Sequence, residues 1–237
     1  AALDVFEDEP RVPAALRDGV CDLQPLLSAL APGANLRWLQ QRSAQLPQPL
    51  LQRLQQHQQH LHQLALAADA SALLAALDQL LVLCPLRRGR WGVEAIHRSL
   101  LGEQALRSAA HWPIGTPVLC PVNQGELGLA NGDLGVVIAR GGERRLLFAP
   151  AGAAADALLE LHPAQLPAAQ PAFALTVHKA QGSEADEVWV LLDPLARQQR
   201  PLLYTALTRA RQQAWLITAA APTLEPLAHE RHGPLAR

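Results

Sequence analysis

The run Thr176-Val177-His178-Lys179-Ala180-Gln181-Gly182-Ser183-Glu184 sets a lysine, a histidine, two hydroxyls, an amide and a carboxylate around a glycine, directly after an apolar stretch. An ammonium offers a point charge to a phosphate, and Thr176, His178 and Ser183 add hydrogen-bonding groups. Glu184 can accept from a ribose hydroxyl, and Gly182 permits close backbone approach or a positive φ. The same residues also fit a plain strand-to-helix turn in which Ser183 caps a helix. Lys179 is the one lysine among twenty basic residues, so composition alone makes a lysine here improbable. The only tyrosine, Tyr204, lies in a second segment, Leu203-Tyr204-Thr205-Ala206-Leu207-Thr208-Arg209-Ala210-Arg211. If Pro201 to Arg211 is helical, Arg209 emerges beside an apolar face. There it can answer the negative end of the helix, or reach a γ-phosphate held by another domain and stabilise transition-state charge.

Both segments need a scaffold, and the flanking pattern is α/β. Ala172–Val177 reads as a strand, Glu187–Leu192 as a second closed by Asp193-Pro194, and Ala214–Thr218 as a third. Pro201 starts the helix between them, where its missing N–H costs nothing. Upstream, Leu80–Cys84 is a short apolar run ending at Pro85, followed by the loop Arg87-Arg88-Gly89-Arg90-Trp91-Gly92 and a helical pattern from Glu94 to Leu106. Loops at strand ends are where ligands meet α/β sheets, so three arginines and a tryptophan there can hold phosphates and stack a base; equally, Trp91 can anchor a solvated turn.

Between Pro113 and Gln170 the pattern changes. Thr116–Val122, Leu134–Ala139, Leu146–Phe148 and Leu158–His162 are short β-like runs separated by Gly, Asn, Asp and Pro, with Gly141-Gly142 a hairpin signal. This spacing predicts a small antiparallel barrel or sandwich over 113–170, inserted into an α/β domain formed by 79–112 and 171–237. Residues 1–78 read as helical, rich in Ala, Leu and Gln. Within them His57 and His60 are three apart and His62 five from His57, so only one pair shares a face; a solvated glutamine-rich helix fits better than a metal site.

Composition narrows the partners. Net charge is −1 with nine histidines neutral, so nucleic-acid contact has to be local, through a groove and not a charged coat. The three cysteines are widely spaced with no C-x-x-C pair, which argues against disulfides or a cysteine zinc site and predicts a reducing, cytoplasmic setting. No run approaches the roughly 20 apolar residues that span a bilayer. Methionine is absent even at position 1, as expected of a fragment or processed piece.

The segment 176–184 resembles motif V of superfamily-one helicases of the RecD type, and Leu202–Arg211 resembles their motif VI. Leu129-Ala130-Asn131-Gly132-Asp133-Leu134-Gly135 is similar to a turn in the SH3-like insertion of that family, and Leu83–Gly89 with Gly92-Val93 to the strand and loop before it. The resemblance covers about residues 78 to 220. It implies a RecA-like (P-loop NTPase-type) second motor domain, a parallel sheet with helices, interrupted by a small SH3-like β-barrel. It further implies that Thr176, His178 and Lys179 grip single-stranded DNA, that Gln181, Gly182 and Glu184 lie towards a nucleotide, that Arg209 senses the γ-phosphate, and that Tyr204 and Thr205 couple the two sites. ATP with Mg2+ would be held mainly by an N-terminal motor domain, because no G-x-x-x-x-G-K-[ST] phosphate loop occurs here. The implied partners are that domain, single-stranded DNA and other exodeoxyribonuclease V subunits, with no membrane. Two positions depart from the family pattern: Ala185 replaces an aromatic residue, and His97 an asparagine. A non-catalytic, helicase-derived scaffold or DNA-binding module in a repair complex is the competing expectation.

Overall fold

The computed structural model describes residues 23–31, 33–150, 158–180, 182–192 and 200–219, the first two of the last range by backbone only. A five-stranded, all-parallel sheet contains β1 (Leu36–Gln40), β2 (Leu80–Cys84), β8 (Leu175–Thr176), β9 (Ala185–Leu192) and β10 (Ala210–Thr218), in the order β1-β10-β9-β2-β8. Alternation along β9 fixes its two faces. Val188, Val190 and Leu192 point to one side with Leu203, Ala206 and Leu207 of α5 (Arg200–Leu207) and Leu27 of α1 (Gln24–Ser28). Trp189 and Leu191 point to the other, against Leu50 and Leu54 of α2 (Gln48–Ala67) and Ile96 of α4 (Val93–Leu101). A sheet covered on both faces reads as a nearly continuous apolar run, as β2 does with all five residues buried.

The second sheet is antiparallel, with β3 (Pro117–Leu119), β4 (Leu134–Arg140), β5 (Glu143–Phe148), β6 (Leu159–Leu161) and β7 (Gln170–Pro171) in the order β6-β5-β4-β3-β7. Arg140 pairs with Glu143, so β4 and β5 are joined by the two-residue loop Gly141-Gly142. One face, with Val137, Leu146 and Phe148, closes over Trp112 and Leu166. On the other face, Val136, Ile138 and Leu147 meet the second half of α2 (Leu61, Ala65) and α3 (Ala70–Leu77). No ladder joins β6 to β7 among the described residues.

Helix α2 thus serves both sheets. Its twenty residues span ~30 Å. Its buried positions Leu50, Leu54, His57, Leu61 and Ala65 form one stripe, and fully burying each leucine is worth roughly 1.5–3 kcal/mol. Gly115, just before β3, presses on the same helix: with φ +84°, a Cβ there would lie 2.6 Å from His62 Cα. His62 Nδ1 meets the Ile114 carbonyl at 3.0 Å.

The fold departs from expectation at four points. Leu36–Gln40 is a strand inside the stretch expected to be helical, because pairing with β10 supplies its ladder. The strand foreseen over 172–177 shrinks to Leu175–Thr176, and the chain turns into a 3₁₀ helix over Val177–Ala180. Helix α5 ends at Leu207, and Arg211 lies on β10 because Ala210 is already paired with Ala185. Trp91 is fully buried and donates Nε1 to the Gln45 carbonyl (3.2 Å), so it anchors its loop and is closed to a stacking base.

Candidate functional site

The segment after β8 crosses from the carboxyl end of the parallel sheet to its amino end. Thr176, paired with Cys84, is half-buried at the carboxyl end, and strand alternation sets it opposite Leu175, on the α2/α4 face. His178 is exposed. Lys179 is half-buried, and its Nζ donates to the Pro121 carbonyl at 2.8 Å, tying the crossing to the antiparallel module just past β3. Gln181 lies outside the described residues. Gly182 has φ +90°, a conformation other residues rarely adopt. Ser183 and Glu184 are half-buried and lead straight into β9, so Ser183 caps no helix.

The second segment arrives at the same amino end. Helix α5 returns the chain to the start of β10, and the Arg209 carbonyl accepts from the Ala185 N–H at 3.0 Å, next to Glu184. Arg209 is half-buried, and its Nε donates to the Thr205 carbonyl (3.1 Å), closing the end of α5. Thr208 Oγ1 donates to the carbonyls of Tyr204 and Thr205. Tyr204 and Thr205 are half-buried, Tyr204 packing on the sheet core. Gly182, Glu184 and Arg209 therefore gather at the amino ends of β9 and β10, while Thr176 stands at the opposite end of the sheet.

Two clefts run between the parallel sheet and the antiparallel module. The first, of about 570 Å³, is lined by Gly182, Ser183 and Glu184, by the Asn131-Gly132-Asp133 turn, and by Asp78, Arg211 and His57. Three carboxylates face one arginine there, and Arg211 already donates Nε to Asp186 at 3.1 Å. Burial pushes the Asp78 carboxyl up, although Arg211 pulls the other way. His57 is 5% exposed with Nδ1 unpartnered; burial, with Arg53 and His60 nearby, lowers its pKa to about 4. The second cleft, of about 290 Å³, runs between α4 and β7 and is lined by Arg87, Glu94, His97, Arg98, Arg107 and Trp112. His97 is 7% exposed, its Nε2 accepts from the Ala174 N–H (3.3 Å), and burial likewise lowers its pKa to about 4.

Residues 171–217 match the family model described as the UvrD-like helicase C-terminal domain. Over 214 residues the chain is 34% identical to the RecBCD enzyme subunit RecD of Mycolicibacterium smegmatis, covering 87% of this chain and 36% of that protein. The chain is a RecD-like helicase C-terminal region. The ATP-dependent RecD2 DNA helicase of Deinococcus radiodurans is 34% identical over 155 residues, 59% of this chain and 21% of that protein. A Pif1 helicase from Bacteroides, solved with ADP-AlF3 and single-stranded DNA, aligns at 18% identity and a TM-score of 0.43, covering 78% of this chain and 52% of that one; so loose a likeness carries no argument. The chain spans about a third or less of the length of the two RecD relatives.

In this RecD-like region the matched stretch runs from β7 to the end of β10 and holds both chemical segments. Neither cleft was foreseen as such. The solvated-helix expectation for Gln55–Gln63 is corrected at His57, which sits in the buried stripe of α2; the 50, 54, 57, 61 spacing carried that signal. Among the described residues, no group of three or more His, Cys, Asp and Glu is placed to hold a metal ion, and no helix is long and apolar enough to cross a membrane. Arg98 and Arg107 left no sequence signal, since only folding sets the helix beside β7.

Proposed function

We propose that this chain is the second motor domain of an ATP-dependent, 5′-to-3′ DNA helicase or translocase of the exodeoxyribonuclease V type, in the place of the alpha chain, acting in double-strand-break repair and recombination. The parallel sheet is its RecA-like part, and the antiparallel module is its SH3-like insertion. One observation carries this reading: Arg209 and Ala185, the residue after Glu184, are joined at the amino ends of adjacent strands by the bond between the Arg209 carbonyl and the Ala185 N–H. Glu184 accepts from a ribose hydroxyl, Gly182 lets the nucleotide approach the backbone, and Gln181 takes part in the same nucleotide contact. Arg209 stabilises charge developing on a γ-phosphate. The carboxylates of Asp78 and Asp133 nearby repel phosphates, which fits a division in which a first motor domain cradles the β- and γ-phosphates and Mg2+, and this chain closes the other side. Thr176, His178 and Lys179 hold single-stranded DNA at the other end of the crossing, and α5, through Tyr204 and Thr205, links the two. The setting is the cytoplasm, among the other subunits of such an enzyme.

The test is Arg209→Ala in the chain joined to its first motor domain. Arginine fingers contribute ~10³-fold or more to turnover, so ATP hydrolysis should fall by about that factor while single-strand affinity holds. Retention of most turnover would reduce Arg209 to the helix-closing group that its bond to Thr205 already makes it, and would favour a non-catalytic scaffold.

A further inference from the structure

We propose that the groove between α4 and β7 binds the phosphodiester backbone of a single strand, with exposed Arg98 and Arg107 contacting phosphates and Arg87 beside them. The proposal rests on the DNA reading above and extends it to side chains outside both motor segments. Three arginines share a groove of about 290 Å³ in a chain whose net charge is −1. The one carboxylate in it, Glu94, is already engaged, by Arg87 Nε at 3.1 Å and by Arg88 at 3.6 Å from outside the groove. Arg98 and Arg107 have no carboxylate partner among the described residues. The walls beside them are buried Trp112 and buried His97, which focus the field of the exposed charges into the groove.

Position and chemistry favour a strand over a small anion. The groove lies on the α4 side of the parallel sheet, the side that strand alternation assigns to Thr176. It is linked to β8 by the Ala174 N–H, which donates to His97 two residues before Thr176. Phosphates held by Thr176 and by Arg98 and Arg107 can therefore belong to one backbone. A compact anion site needs converging buried donors, whereas these arginines are exposed and the buried His97 Nε2 is already occupied. The companion cleft, with Asp78, Asp133 and Glu184, repels the same backbone, which leaves the α4 side for any strand crossing the junction.

The experiment measures binding of a labelled oligo-dT of fifteen nucleotides to the 237-residue chain across salt, comparing wild type, Arg98→Gln/Arg107→Gln and Thr176→Ala/His178→Ala. Both arginines are exposed, so their substitution leaves the fold intact, with tryptophan fluorescence as the check. Each lost phosphate contact lowers the log–log salt slope by roughly 0.7 for a single strand, so the arginine pair should lower it by about 1.4. That makes the loss of affinity between 50 and 200 mM salt roughly sevenfold smaller than in wild type. Arg98→Lys/Arg107→Lys should restore most of the slope. An unchanged slope in the arginine variant, with binding weakened by Thr176→Ala/His178→Ala, overturns the groove and leaves the DNA reading standing. Absence of salt-dependent binding by wild type overturns both. Displacement of the oligonucleotide by equimolar tripolyphosphate overturns the strand in favour of a small-anion site.

Discussion

Two clefts separate the parallel sheet from the antiparallel module, and each has a buried histidine in its wall: His57 of α2 in one, His97 of α4 in the other. Burial holds both near pKa 4, so both are neutral at pH 7. Around this shared core the charges are opposite, with Asp78, Asp133 and Glu184 against three arginines. The histidines also differ in bonding. His97 satisfies the Ala174 N–H, while Nδ1 of His57 has no partner. Both histidines leave their cleft walls uncharged at pH 7, so the exposed side chains set the charge of each cleft. A module set between β2 and β8 in the chain thus makes two clefts of opposite charge from one junction.

The largest expected effect is on acidification. In each histidine the folded pKa lies below the unfolded value of 6.5, so the unfolded chain binds more protons between pH 6.5 and 4. Stability is fully present above about pH 6.5 and is lost as pH falls towards 4. The loss reaches about 3 kcal/mol per histidine. Urea unfolding at pH 7 and 4.5 should separate the pair. His97→Leu should cost about 1–3 kcal/mol at pH 7, because the buried Ala174 N–H is left bare. His57→Leu should cost little at pH 7, because it removes an unpaired buried nitrogen. It should gain over wild type at pH 4.5, because the proton uptake that favours the unfolded chain goes with the ring. Equal costs for the two at pH 7 would erase the contrast in bonding.

Much of this frame was legible in sequence, for local reasons. Leu80–Cys84 and Glu187–Leu192 announce themselves because strands covered on both faces are almost wholly apolar, and Gly141-Gly142 fixes its hairpin without help from elsewhere. Leu36–Gln40 was hidden because its ladder comes from β10, some 180 residues on. The start of β10 was hidden because Ala210, Arg211 and Gln212 favour helix by propensity, and only pairing with β9 overrides it. In the candidate site, the segments 176–184 and 203–211 showed as patterns, but the clefts did not. Their walls come from α2, α3, α4 and the module, whose mutual placement no spacing encodes.

A smaller effect should follow at the joint that shapes the acidic cleft. Gly115→Ala pushes a Cβ into the α2 backbone at Leu61–His62, one turn beyond His57, at a φ of +84° that alanine resists. Strain and overpacking of that kind each cost about 1–3 kcal/mol, so a loss of roughly 3 kcal/mol in urea unfolding is expected. An unchanged midpoint would mean that the module does not press on α2 as closely as the geometry has it. Because the groove along α4 is formed by other residues, the salt slope for oligo-dT should stay that of wild type. A lowered slope would show the two clefts to be mechanically one.

The smallest effect belongs to Arg211, which lines the acidic cleft and pairs with Asp186 and Asp78. Its Nε lies 3.1 Å from Asp186 Oδ1 and its Nη2 lies 3.9 Å from Asp78 Oδ2, while the same Nη2 donates to the Asp78 carbonyl at 3.1 Å. All three side chains are at least a third exposed, so solvent screens the pairs and their sum should stay within about 1 kcal/mol. Arg211→Gln should therefore cost up to about that much at pH 7. Asp78 then loses the group that lowers its pKa and keeps both burial and Asp186, which raise it. The folded state of the variant takes up a proton more readily than wild type, so its deficit should shrink as pH falls from 7 towards 4. High salt separates this from a packing defect. At 1 M the screening length is about 3 Å, and a purely electrostatic deficit should largely vanish, whereas one from lost packing of the arginine stem persists. A deficit that is indifferent to both salt and pH would mean that Arg211 is a structural prop, and that the acidity of this cleft, unlike the basic charge of its counterpart, plays no part in how the junction works.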